Sequence, residues 1–217
     1  SLLNVQYRMH EQIMYFSNHH FYEGALQAHT SVAQARLPLS QYQPVNFIDT
    51  AGCGFEEEIE PKYLSRFNPG EFLILREHLL QLAEQFKEEE MPVIGIISPY
   101  RQQVQYIKEQ IREEMAGGAS SNDNGGLSAL PLDINTIDAF QGQEREIIYI
   151  SLVRSNLKSE IGFLQDYRRM NVAMTRAKKK LIIIGDSATI GGDPFYNKVL
   201  AYCEQEGNYE TAWMYIQ

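Results

Sequence analysis

Two cysteines in 217 residues, Cys53 and Cys203, exclude a disulfide framework, and neither has a neighbour at metal-ligand spacing. Both read as reduced thiols. The five histidines (His10, His19, His20, His29 and His78) form no ligand set with cysteines or carboxylates, so no metal site is expected. No apolar run approaches the roughly 18–20 residues that cross a bilayer, and the first residues lack a basic, apolar, small-residue leader. A soluble, intracellular, cytoplasmic and monomeric chain is the expectation. Basic residues are also scarce: 19 Lys and Arg stand against 28 Asp and Glu, for a net charge of −9. That balance argues against coating duplex DNA through a general basic surface, so any nucleic-acid contact has to be local. Finally, no Gly-Lys pair occurs, which rules out a Gly-rich phosphate loop ending in Gly-Lys-Ser/Thr. Internal repeats are absent.

What is present is a composition, 44% hydrophobic and 22% charged, that builds one globular core. Residues 45–48, 93–98, 134–137, 147–153 and 181–184 are short β-branched runs with helical stretches between them. Near-continuous apolar strands are buried on both faces, and strand–helix alternation implies a parallel sheet with right-handed crossovers. The expected fold class is α/β: a three-layer sandwich, with helices on both faces of a mostly parallel sheet. Residues 73–90 carry Leu75, Leu79, Leu82, Ala83 and Phe86 at helical spacing before Pro92. Residues 117–131, rich in Gly, Ser, Asn and Asp, read as a mobile internal loop within a single domain spanning 1–217.

Acid collects at residues 56–60 and 84–90, whereas Arg154, Lys158, Arg168, Arg169, Arg176 and residues 178–180 make the later part locally basic. In Asn171-Val-Ala-Met-Thr-Arg176-Ala-Lys-Lys-Lys180, read as a helix, Met170, Ala173, Met174 and Ala177 form a buried stripe. Arg169 and Arg176 then line one flank, pre-oriented for phosphate oxygens; the plain alternative is a solvated basic face. Ile134-Asn-Thr-Ile-Asp138-Ala-Phe-Gln141-Gly142-Gln-Glu144 has the build of a ligand loop at the carboxyl end of a parallel sheet. Gly142 admits close backbone approach to phosphate and Glu144 can accept from ribose hydroxyls, although the segment could equally be a turn. Gln6-Tyr7-Arg8-Met9-His10 joins a ring to a guanidinium, which suits a purine base with its phosphate or, more simply, a core Tyr beside a surface Arg. Ser98-Pro99-Tyr100-Arg101 offers hydroxyl, ring and cation to a nucleic-acid backbone. Phe47-Ile48-Asp49-Thr50-Ala51-Gly52 has the Asp-x-x-Gly form of a GTPase strand, without the phosphate loop that would make it one.

In order along the chain, Leu3-Asn-Val-Gln-Tyr-Arg-Met-His10, Phe21-Tyr-Glu-Gly24, Ile97-Ser-Pro-Tyr100, Asp138-Ala-Phe-Gln-Gly142, Ile161-Gly-Phe-Leu164 and Asn171-Val-Ala-Met-Thr-Arg-Ala177 resemble the second RecA-like domain of Superfamily 1 helicases. The branch is the one containing the nonsense-mediated-decay RNA helicase, and the likeness covers about residue 2 to about residue 205. Glu11 stands where that family commonly has Pro, and the loop at 117–131 looks longer than a minimal connection.

The resemblance implies a phosphate-loop NTPase fold without the loop itself, a lobe that works against an amino-terminal lobe not contained in this chain. That partner would hold most of the ATP and its Mg2+. It further implies that Arg8 and Arg176 reach the γ-phosphate as arginine fingers, that Tyr7 packs on the nucleotide, and that Glu144 binds the ribose. Gln141 and Gly142 would couple the ATP cleft to the strand-binding face, where Ser98, Tyr100 and Thr136 touch single-stranded DNA or RNA. Movement in that branch is usually 5′ to 3′. Two other readings stay open on the sequence: a degenerate binding module without ATP turnover, and a GTPase-like switch at Asp49.

Overall fold

The computed structural model describes residues 4–39, 42–116, 127 and 130–216. In chain order its elements are β1 (Val5–Gln6), α1 (Glu11–Phe21), β2 (Gln27–Ala28), α2 (Thr30–Ala33), β3 (Val45–Asp49), β4 (Glu58–Ile59), β5 (Arg66–Phe67), α3 (Pro69–Ala83) and β6 (Ile94–Ser98). The second half continues with α4 (Arg101–Ala116), β7 (Leu132–Thr136), β8 (Arg145–Ser151), α5 (Tyr167–Met174), β9 (Ala177–Gly185), α6 (Ser187–Ile190), α7 (Pro194–Glu206) and β10 (Asn208–Thr211). Among the described residues no helix is long and apolar enough to cross a membrane.

Six strands form one sheet in the order β10-β3-β9-β8-β6-β7, and every pairing in it is parallel. The alternation of strand side chains divides the core in two. Ile148, Ile150, Leu181 and Ile183 point to one face, packed with Ile13 and Phe16 of α1, Met170 and Met174 of α5, and Phe195 and Val199 of α7. Ile147, Tyr149, Ile182 and Ile184 point to the other, against Leu75 and Leu79 of α3 and Val104 and Ile107 of α4. The expected three-layer α/β sandwich is therefore what forms.

Helix starts follow the local chemistry. Asn68 caps α3 by accepting from the Glu71 amide at 3.0 Å ahead of Pro69, and Asp193 caps α7 ahead of Pro194 by accepting from Phe195 at 2.9 Å. Helix α3 spans Pro69–Ala83, earlier than the 73–90 read from periodicity, because that cap sets its start; Phe86 falls in the following turn. Most of 117–131 lies outside the described residues.

The sharpest departure concerns 171–180. Helix α5 stops at Met174, where Thr175 folds its hydroxyl back onto the carbonyl oxygens of Asn171 at 2.8 Å and Val172 at 3.2 Å. Arg176 is therefore the hinge into β9, and Ala177 is a strand residue, although all four stripe residues are buried as expected. Arg169 and Arg176 do not share a helical flank.

Candidate functional site

The polar residues singled out by sequence gather at the two opposite ends of the sheet. At the amino ends of β8 and β9, three elements meet: the turn after β1, the residue preceding β8, and the α5–β9 hinge.

The turn is fixed by Gln6, whose side-chain oxygen accepts from the amides of Arg8 and Met9, both at 2.8 Å, while its amide group donates to the Met9 carbonyl at 2.8 Å. The His10 amide then donates to the Lys178 carbonyl at 2.8 Å, tying the turn to β9. Held in this way, Arg8 projects its guanidinium onto Glu144 as an ion pair and reaches the Thr175 carbonyl at 3.5 Å. Lys178 approaches the other Glu144 oxygen at 3.3 Å. Arg176 donates to the carbonyls of Val172 at 3.1 Å and Gln143 at 3.4 Å, and its own carbonyl accepts from the Arg145 amide at 3.0 Å.

Arg8 and Arg176 thus stand at one rim although 168 positions separate them. Burial, followed by the Arg8 charge, holds the Arg176 guanidinium below its ordinary pKa, with Glu144 pulling the other way. Burial pushes the Glu144 carboxyl up, but Arg8 and Lys178 together outweigh it and hold that carboxyl below the usual range. Arg8 and Lys178 share Glu144 while Arg176 is bound to backbone carbonyls, so the rim carries an excess of positive charge and favours an incoming anion. Tyr7 is 66% exposed, with one ring face stacked on His29 at 4.3 Å and 28°.

Residues 137–144 were expected to form a loop at the carboxyl end of the sheet, and here the structure differs. They leave the carboxyl end of β7 and return, without a helix, to the amino end of β8, passing β6, which lies between those strands. Phe140 is buried against the sheet beside Gly95 of β6, where an added Cβ would lie 2.8 Å from the Phe140 ring and 2.5 Å from Ile148. Glu144 consequently sits at the end opposite Thr136, roughly 20 Å away along β8 at about 3.3 Å per residue. Gln141 and Gly142 lie exposed on this crossing. Gly142 has φ 82 with open space around it, so its backbone conformation requires glycine.

At the carboxyl ends, Ser98 and Thr136 are register partners on β6 and β7. Thr136 is half-buried. Ser98 and Tyr100, expected to touch a strand, are only 1% and 2% exposed: the Ser98 hydroxyl accepts from the Tyr100 amide at 3.3 Å. The Tyr100 hydroxyl accepts from Arg154 at 3.3 Å and from the Phe163 amide at 3.2 Å. Their side chains brace this rim from below.

Arg154, read from sequence only as local basic charge, is 2% exposed and is bound through Nε to Glu57 at 2.8 Å. Glu57 also receives Arg66 at 2.8 Å, the Ser155 amide at 2.9 Å and Asn156 at 3.1 Å. Burial pushes the Glu57 carboxyl up; Arg154, Asn156 and Ser155 overcome this and lower it. What turns Arg154 inward is Val153, a β-branched residue at φ 73, whose amide is gripped by both Glu71 oxygens at 2.9 Å and whose carbonyl accepts from Asn68 at 3.1 Å. No periodic or motif signal in the sequence marks Glu57, Glu71 or Val153.

Asp49, the GTPase-like carboxylate, accepts from the Ala51 and Ser187 amides, both at 3.0 Å, and from the Ser187 and Tyr209 hydroxyls, both at 2.7 Å. Four donors give it a structural duty at the ends of β3 and β9.

Residues 1–188 match the AAA_12 family, an AAA domain. The DNA polymerase alpha-associated DNA helicase A of Saccharomyces cerevisiae is 35% identical over 223 residues, covering 95% of this chain and 31% of that protein. The DNA-binding protein SMUBP-2 of Mus musculus is 34% identical over 229 residues, covering 99% of this chain and 21% of that protein. An uncharacterized ATP-dependent helicase of Methanocaldococcus jannaschii is 33% identical over 218 residues, covering 94% and 29% respectively. The chain therefore spans less than a third of the length of each of these relatives.

Proposed function

Since the chain belongs to the AAA_12 family, as the carboxy-terminal domain of a Superfamily 1 helicase, we propose that it is the second motor lobe of an ATP-dependent enzyme acting on single-stranded DNA or RNA. The observation that carries this reading is the convergence of Arg8, Glu144 and Arg176 on one rim. ATP and its Mg2+ are held mainly by an amino-terminal lobe facing that rim. Glu144 keeps Arg8 in place until the nucleotide arrives. Arg8 then turns to the phosphate, and Glu144 is released to the ribose hydroxyls.

Arg176, anchored by two backbone carbonyls, presents its remaining donors to the charge that spreads over the transferring oxygens. A finger of this kind contributes about 10³–10⁵ in rate. Tyr7 offers its free ring face to the base. Gln141 and Gly142 ride on the crossing from Thr136 to Glu144, so strand contact at one end and nucleotide contact at the other bear on a single segment. Closure on ATP and reopening after hydrolysis move the lobes along the strand, 5′ to 3′.

The test is strand-dependent ATP hydrolysis by the full-length protein. We expect turnover that rises with added single strand, together with displacement of a duplex carrying a 5′ overhang. Strand binding without any ATP turnover would replace this reading with that of a binding module.

A further inference from the structure

Ile161-Gly-Phe-Leu164 has no role at the arginine rim. Ile161 and Leu164 are buried at 6% and 0% exposure, anchoring the segment, while Phe163 between them is 61% exposed. Gly162 makes this possible: it sits at φ +52, and a Cβ there would lie 2.0 Å from Arg154 Nη1 and 2.9 Å from the Tyr100 hydroxyl. The Phe163 ring lies on Tyr100 at 5.3 Å and 28°, and its amide is bound by the Tyr100 hydroxyl. The assembly displays one aromatic face at the carboxyl end of β6.

Across from it, in the turn between β4 and β5, Tyr63 is 67% exposed. Its amide donates to Glu60 at 2.7 Å, and the next residue, Leu64, is at φ 51. Tyr63 and Phe163 line one cleft of about 160 Å³ with Leu64, Arg66 and Tyr100. The volume is well under the roughly 300–1,000 Å³ of a drug-sized site and suits a single planar ring. Arg66 and Arg154, the guanidinium groups of this cleft, are both paired with Glu57. Arg154 also lies 3.9 Å from Glu160, so two carboxylates answer these two guanidinium groups, and Lys62 sits over the Tyr63 ring at 4.9 Å. What the cleft exposes is chiefly π faces, which suit a base more than a phosphate.

We infer that a nucleobase of the bound single strand stacks in this cleft between Phe163 and Tyr63. The inference rests on the strand-binding reading above and adds to it a base-stacking contact. Because every base has a π face, the contact tolerates any sequence.

The experiment measures binding of the full-length protein to an oligothymidylate and to a strand of equal length built from abasic units. Loss of a stacking side chain weakens binding by about tenfold. We expect Phe163→Ala and Tyr63→Ala to weaken oligothymidylate binding by that amount, to leave abasic binding unchanged, and to preserve the salt dependence, since no phosphate contact is lost. Phe163→Tyr should retain affinity. Equal wild-type affinity for the two strands, or equal loss on both in the variants, overturns the inference while leaving the strand reading intact. The second of those results would make the two rings supports of the backbone contact or of the fold. A wild-type protein that binds neither strand overturns both readings.

Discussion

Arg169 meets Asp138 as a two-pronged pair, Nε to Oδ1 at 3.1 Å and Nη2 to Oδ2 at 2.7 Å, and so fastens α5 to the segment that crosses from one end of the sheet to the other. The link joins the element that ends at Arg176 to the segment that ends at Glu144. Both partners are accessible, so their contribution to stability stays within about 1 kcal/mol.

This accessibility sets a first prediction. Asp138→Ala should leave denaturation midpoints nearly unchanged but reduce the factor by which single strand stimulates ATP turnover. The exchanged pair Asp138→Arg with Arg169→Asp should recover part of that factor. Unchanged stimulation in the single variant would leave the link without a coupling role.

Arg154 and Glu57 form the buried counterpart. Removing Arg154 takes from the buried Glu57 carboxylate one of its two guanidinium partners, leaving Arg66, and empties a buried site, at a cost of about 1–3 kcal/mol. Arg154→Ala should therefore destabilise the fold more than Arg169→Ala. Arg154→Lys should not restore it, because an ammonium cannot reproduce the forked contacts to Glu57 and Tyr100. Chemical denaturation of the three variants checks the ranking, and equal losses for Arg154→Ala and Arg169→Ala would refute it.

Glu71 gives a pH dependence. Complete burial raises its carboxyl to about 8, against the bonds from Ser151 and Val153 that favour the charged form. A carboxyl raised on folding contributes stability that is fully present below its unfolded pKa and is lost as pH rises through about 8. Glu71→Gln keeps the shape and removes the titration. The stability of the wild type relative to this variant should fall by a few kcal/mol between pH 5 and pH 9. Taking the difference isolates Glu71 from Lys180, whose amine burial lowers to about 7 and which acts in the opposite sense. A pH-independent difference would contradict the assignment.

How far the sequence carries depends on which interactions are local. The sheet was legible because β8 and β9 are apolar on both faces, so continuous runs such as residues 181–184 stand out. Edge strand β10 was not: Asn208–Thr211 is polar, pairs on one side only, and is held by Tyr209 donating to Asp49. The rim residues Arg8 and Arg176 were legible as motifs. Their meeting through Glu144 depends on a turn and a hinge that no periodicity encodes, and the break after Met174 was missed because Ala177 continues the apolar spacing from strand rather than helix. Glu57 falls in the acidic run 56–60 and Glu71 carries no signal, yet tertiary contacts make one a buried counter-ion and the other a brace on strained backbone.

The ribose contact proposed for Glu144 separates binding from chemistry in a kinetic test. A ribose contact made equally in the ground and transition states changes KM and leaves kcat nearly alone. Glu144→Ala in the full-length protein should raise the KM for ATP with little change in kcat. Loss confined to kcat would point instead to Glu144 positioning Arg8.

In the proposed mechanism Arg176, from the α5–β9 hinge, stabilises the charge developing on the transferred phosphoryl group. Strand-stimulated ATP turnover of the full-length Arg176→Ala protein measures this directly. We expect kcat to fall by at least about a hundredfold with strand binding retained. Turnover near that of the wild type would contradict it.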